Sequence, residues 1–292
     1  MSFSSSRSDN ITRRSAVKLL GGAVVSSVAG SAFALAQTSP VVHAPSSRLL
    51  SELDLDFLED MQHAACLYFI EQADPSTGQV LDRATNKNST GKLDSQFVAS
   101  IAATGFGLTA LCIADRRNYA PTDRLKKQVT ATLQFHLDKM PNEHGFFYHF
   151  NDVKTGQPLI NSEVSSIDTA ILLCGVLSCR AYFKDPKITD LATQLYNRVD
   201  WPWMLNGGKT FSMGWRPSSG FIATRWDHYC ELMMLYLLAI GSPTHPVSPE
   251  SWSAFTRPAL KFGNFNYISG RDPLFVHQYS HAWFDFARKR DA

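Results

Sequence analysis

The stretch Asn161-Ser-Glu-Val-Ser-Ser-Ile-Asp-Thr-Ala170 leads directly into Ile171, Leu172, Leu173, Val176 and Leu177, and its reading decides both the fold and where to look for function. Ser165 fits the N-cap of a helix, and Asp168, three residues later, can return the bond as in a capping box, with the aliphatic residues forming the buried face. Asp168 therefore has a structural role available. Glu163 has none: it is an acid just outside a helix start, with the aromatic segment Gly145-Phe-Phe-Tyr-His-Phe150 shortly before it, a placement that suits the wall of a cleft.

Helical periodicity of this kind dominates the chain. It predicts helices over 54–72, 95–115, 121–140, 166–183, 186–201, 226–240, 248–260 and 274–288. Short β-prone pieces lie at 145–151, 209–215 and 221–224, with turns signalled by Thr155-Gly156 and Ser219-Gly220. Gly105 and Gly107 fall inside the second predicted helix, where glycine is unfavourable, so a close neighbour or a ligand is expected there.

The N-terminus carries an address. Thr12-Arg-Arg-Ser-Ala-Val-Lys18 precedes a weakly apolar run, Leu19 to Ala36, that ends in Ala34-Leu-Ala36, the small-x-small pattern of a cleavage site. The paired Arg13 and Arg14 mark twin-arginine export, so the expected product is periplasmic or secreted after loss of residues 1–36, and the export machinery is an expected partner. Residues 37–51 read as a flexible segment and 52–292 as one helical domain. Arg7, Arg13, Arg14 and Lys18 against Asp9 carry +3, and the whole chain is formally +2, so the remainder is near −1. Such a balance predicts no nucleic-acid partner and, once the signal is cleaved, no membrane partner. Charged residues are 18% and aromatics 12%. The aromatics gather beside polar residues (Trp201, Trp203, Trp215, Trp226, Tyr229, Tyr279, Trp283), which suits hydroxyl-rich ligands such as sugars as well as core packing.

Five cysteines, an odd number without CxxC spacing, argue against a disulfide framework. Cys66, Cys112, Cys174, Cys179 and Cys230 sit in apolar patterns and are expected as buried, unreactive thiols. Twin-arginine substrates fold before export, which agrees with free thiols.

In the segment Trp226 to Ala239, Asp227 and Glu231 are four apart and would share a helical face opposite Leu232, Leu235, Leu238 and Ala239. So apolar a helix needs a cleft or a partner for Glu231. Paired carboxylates in a cleft are the requirement of glycoside hydrolysis, one protonated to release the leaving oxygen and the other ionised.

Five separated motifs, in order, now carry a resemblance: Ser100 to Ala110 (Ser-Ile-Ala-Ala-Thr-Gly-Phe-Gly-Leu-Thr-Ala), Gly145 to Phe150, Glu163-Val-Ser-Ser-Ile-Asp-Thr169, Tyr229 to Pro246, and Pro273 to Phe286. Together they closely resemble bacterial glucoamylase-like proteins related to endo-β-1,2-glucanases, over almost all of residues 54–288. The resemblance implies an all-α, (α/α)6 toroid-like helical-hairpin barrel with short β-hairpin insertions, a glycoside hydrolase acting on β-linked glucan with β-1,2-glucan favoured, and no cofactor or metal. It carries Glu163 and Glu231 as the catalytic pair, with Asp168 and Asp227 as alternatives, and His149, Trp226, Tyr229, His281 and Trp283 as sugar contacts. Family members continue past the segment matching Ser280 to Phe286, whereas the sequence stops at Ala292, so an incomplete toroid and a truncated product are expected. Two rival readings stand beside this one. The first is a non-catalytic carbohydrate-binding remnant. The second is a metal protein using His277 and His281, spaced i,i+4 on a helix.

Overall fold

The computed structural model describes residues 50–85, 97–159, 161–270 and 274–289. The export signal and most of the expected flexible segment lie outside the described residues. Helix α1, Glu52–Glu71, starts at the N-cap Ser51, whose side chain and Asp54 form a reciprocal capping box. A short strand β1, Val98–Ser100, leads into α2, Ile101–Arg116, capped by Ser100, and α3 follows at Thr122–Asp138. Strands β2 (Asn142–Glu143), β3 (Phe146–Phe147), β4 (Phe150–Asp152) and β5 (Val164–Ser165) precede the long helix α4, Ser166–Phe183. Ser165 caps α4 by accepting from the Asp168 N–H, as the sequence predicts.

Helix α4 has the length and hydropathy of a membrane span, yet it is a core helix, with thirteen of its eighteen residues buried. A helix that is apolar all round must be covered on all sides. It packs against α2, α3, α5 (Pro186–Asn197) and α7 (Met233–Ile240). The crossing with α2 is close because both helices contribute glycine: a Cβ at Gly105 would enter the Ile171 carbonyl and one at Gly175 the Gly105 carbonyl. Gly107 meets Val80 and Phe69 instead. A close protein neighbour is thus found at both glycines. The all-α arrangement of packed helical pairs with short antiparallel inserts is the toroid-like fold that the sequence suggested.

Several predicted elements differ. The second helix begins at Ile101 because residues 98–100 pair with 150–152 in a two-stranded ladder. The predicted helix 186–201 breaks after Asn197, and a separate short helix α6, Trp201–Leu205, starts at the cap Asp200. Strand β6 (Gly214–Arg216) pairs with both β5 and β7 (Gly220–Phe221). The predicted helix 226–240 forms only from Met233. Upstream, Trp226 N–H donates to Phe211 O, Tyr229 N–H to Thr256 O, and Thr256 N–H to Asp227 O, so these backbone groups are held in extended pairing. The predicted helix 248–260 is a 3-10 turn, Pro249–Ser253, followed by an exposed hairpin of β8 (Ala259–Phe262) and β9 (Phe265–Ile268). The last predicted helix is a 3-10 turn, Leu274–His277, and the short α8, Tyr279–Trp283.

All five cysteines are free thiols, four buried and Cys230 half-buried. Burial pushes Cys66 up to about 11 and Cys230 up to about 12, and raises Cys174 and Cys179 as well, which fits unreactive thiols.

Candidate active site

The helix starts of α2 and α4, the end of α1, the β3–β4 connection and the segments before α7 and α8 converge on a cleft of about 520 Å3. Ligand sites commonly occupy roughly 300–1,000 Å3. Its apolar wall comes from Phe69, Phe106, Ile167, Ile171, Phe275 and the rings of Tyr68 and Tyr279, and its ionisable groups are Asp82, His149, Asp168 and Glu231. A wall of rings with few, clustered polar groups suits a sugar, whose faces are apolar and whose rim is hydroxylated.

Asp168 sits in the first turn of α4. Its Oδ2 accepts the Ser165 hydroxyl at 2.6 Å and lies 3.6 Å from His149 Nδ1. Burial raises its carboxyl above the ordinary range, and the neighbouring imidazole and the Ser165 hydroxyl restrain the rise. Glu231 arrives from the irregular segment ahead of α7, where its carbonyl accepts the Ser280 hydroxyl at 2.6 Å. The Tyr279 phenol is raised by burial and then by the charges of Glu231 and Asp168, which places one ring in the field of both carboxylates.

His149 is pinned by its backbone: its N–H donates to Glu163 O at 2.9 Å, and its carbonyl accepts from Ile101 N–H at 3.2 Å. The bridge between Tyr148 and Val164 makes His149 and Glu163 cross-strand neighbours, so His149 Nδ1 meets Glu163 Oε1 at 3.2 Å. Pairing of β5 with β6 brings Arg216 alongside, and its Nη2 donates to Glu163 Oε2 at 3.3 Å. The His149 hydrogen bond first, then the charges of His149 and Arg216, hold Glu163 below its ordinary value against the opposing effect of burial. Burial alone would lower His149, but the Glu163 bond and the charges of Asp168, Glu163 and Asp82 outweigh it and raise the imidazole.

Of the four carboxylates singled out in the sequence, Asp168 and Glu231 line the cleft; Glu163 stands one layer behind, in contact through His149. Asp227 does not line it: the helix expected to align it with Glu231 is not formed there, and Asp227 is exposed and hydrogen-bonded to His228 Nδ1 at 2.6 Å. Of the five expected sugar contacts, only His149 lines the cleft. Trp283 is buried with its Nε1 on Thr109 Oγ1 at 2.9 Å, and Trp226 Nε1 bonds Ser166 Oγ at 2.9 Å. Tyr229 packs on the His277 ring, and His281 on Phe286. His277 and His281 belong to two separate short elements and are not an i,i+4 pair on one helix. Among the described residues, the cluster with atoms close enough to hold an ion is His149, Glu163 and Asp168, within 4.8 Å of one another. Within that cluster Glu163 also pairs with Arg216 Nη2 at 3.3 Å.

The cleft aromatics Tyr68, Phe69, Phe106 and Phe275 were not singled out in the sequence, because each occupies a position that also fits an apolar helix face.

Comparison with known proteins bears on the fold. The glucoamylase family model "Glycoamylase" matches residues 223–292. An exo β-1,2-glucooligosaccharide sophorohydrolase (non-reducing end) of Parabacteroides distasonis is 24% identical over 215 residues, 68% of this chain and 28% of that protein. The structure of an endo-β-1,2-glucanase from Chitinophaga pinensis, in complex with sophorotriose and glucose, superposes with TM-score 0.68 at 21% identity, covering 77% of this chain and 59% of that one. A β-1,2-glucanase from Parabacteroides distasonis gives TM-score 0.60 at 23% identity, over 71% of this chain and 30% of that one. The chain thus spans little more than a quarter of the curated relative it matches and about three-fifths of the Chitinophaga structure. The C-terminal part of the chain is similar to the glucoamylase family model, and the chain shares the fold of these β-1,2-glucanases.

Proposed function

We propose that the chain is an exported glycoside hydrolase of β-linked glucan, with β-1,2-glucan as the favoured substrate, in which Asp168 is the general acid and Glu231 its partner carboxylate. The observation that carries this reading is that two acids from distant segments line one aromatic-walled cleft. Burial favours the protonated form of Asp168, the form that donates to a leaving glycosidic oxygen. The partner acts ionised at the anomeric carbon, directly or through a water. The relatives named for β-1,2-glucan chemistry support the choice of linkage.

Purified protein should release reducing sugar from β-1,2-glucan faster than from β-1,3- or β-1,4-glucan. Asp168→Asn and Glu231→Gln should each lower that rate by about a hundredfold or more at unchanged thermal stability. Near-normal turnover in either variant removes that residue from the chemistry. Glucan binding without any turnover in the parent protein favours the carbohydrate-binding alternative.

Export rests on Arg13 and Arg14 ahead of the apolar run. Replacing both with lysine should leave the precursor in the cytoplasm. Undiminished periplasmic accumulation of that variant would refute the twin-arginine route.

A further inference from the structure

Glu163 is the acid that the sequence made most conspicuous, yet it does not line the cleft. Both its carboxylate oxygens are engaged, Oε1 with His149 Nδ1 at 3.2 Å and Oε2 with Arg216 Nη2 at 3.3 Å, and its carbonyl accepts the His149 N–H at 2.9 Å. The imidazole so held is stacked on Phe150, with ring centroids 3.7 Å apart, and its Nδ1 lies 3.6 Å from Asp168 Oδ2. The charged groups that act on His149 are Asp82, Glu163 and Asp168, with Arg216 behind Glu163. Those that face Asp168 are His149 and Glu163 on its own side, and Glu231 and Tyr279 lining the same cleft.

We propose that Glu163, fixed by Arg216, is a positioning residue that keeps His149 an imidazolium beside Asp168 and thereby sets the pH at which Asp168 releases its proton. This rests on the assignment of Asp168 as the acid, but the half that concerns His149 can be tested without turnover. A cation within about 4–6 Å stabilises a carboxylate anion and moves its titration down by about 1–3 units. In this site that pull opposes burial, which drives Asp168 upward. An amide at position 163 removes the hydrogen bond and charge that hold the imidazole's proton. His149 then becomes neutral near pH 7, and Asp168 loses its cationic neighbour, whose pull is larger than the opposing push of the Glu163 charge lost with it, so Asp168 keeps its proton to higher pH. A loop-bracing role for Glu163 would change stability or kcat but would leave these titrations in place.

The test uses the full chain with isotope-labelled histidine rings, the His149 resonance being assigned by its loss in His149→Gln. In the parent protein the His149 imidazole should titrate above the ordinary value near 6.5. In Glu163→Gln it should fall by at least about one unit. The alkaline limb of the pH–rate profile on β-1,2-glucan should move to higher pH in both Glu163→Gln and His149→Gln. A parent His149 that titrates below 6.5 overturns the proposal even if no variant folds. An unmoved His149 titration in folded Glu163→Gln, or an unmoved limb, also overturns it. A parent protein with the expected His149 titration and no turnover on any glucan instead places the failure in the hydrolase reading.

Discussion

One carboxylate, that of Asp168, meets two demands. It closes the first turn of α4 by accepting the Ser165 hydroxyl while its own N–H donates to Ser165 Oγ at 3.3 Å, and it also lines the cleft beside His149. The two roles are compatible because the first turn of a helix leaves N–H groups without intrahelical partners, and the side chain that accepts the Ser165 hydroxyl there also reaches the cleft wall. In the sequence alone Glu163 stands out above Asp168, because a cap is a sufficient explanation for the latter. Glu163, His149, Asp168 and Glu231 were all legible as residues of interest, since each is a polar group next to an apolar or aromatic run. Their layering was not legible. It follows from the pairing of Tyr148 with Val164, which turns Glu163 toward His149, and no spacing along the chain encodes that register. Asp227 was misplaced for a related reason: an i,i+4 argument holds only where a helix exists.

Among the elements, the helices that periodicity locates best are those whose ends carry their own signals: Ser51 with Asp54, Ser165 with Asp168, and Asp185 followed by Pro186. The three helices that periodicity predicts beyond residue 225 form only in part, because side chains and distant backbone take the groups a helix would use. Arg257 donates to the Trp252 carbonyl at 2.7 Å and the Phe255 carbonyl at 2.9 Å, while Thr256 N–H is committed to Asp227 O. The bond from Thr256 to Asp227 links positions 29 residues apart, a range over which periodicity says nothing. The α2–α4 crossing was half legible, since Gly105 stood out as a costly residue in a helix. A methyl group at Gly175 would overlap the Gly105 carbonyl, and neither backbone can yield without moving its helix. Gly175→Ala should therefore destabilise the protein by about 1–3 kcal/mol, despite the better helix propensity of alanine. Chemical denaturation is the measurement, and a loss smaller than about 0.5 kcal/mol would mean that the two helices are free to separate.

On the scale of the whole molecule, the core is well covered around α4 and poorly covered in two outlying regions. Along the first half of α1, Leu53, Leu55, Phe57, Leu58 and Met61 are exposed, Leu53 to 81%. In the β8–β9 hairpin every strand residue is exposed, with Phe262 at 77% and Phe265 at 76%. Scattered apolar residues on a surface are ordinary, but contiguous apolar faces beyond a few hundred Å2 mark sites of association. An isolated two-stranded hairpin is at best marginally stable in water and presents an unpaired edge for another chain. The purified chain should accordingly self-associate in a concentration-dependent way, and Phe262→Ser with Phe265→Ser should shift it toward the monomer. These side chains lie outside the core, so the double variant should retain the parent's melting temperature within about 2 °C, as expected for surface changes of roughly 0.5 kcal/mol or less. Sedimentation velocity across a hundredfold range of concentration decides the matter: a parent protein that stays monomeric throughout means that the two exposed faces do not drive association.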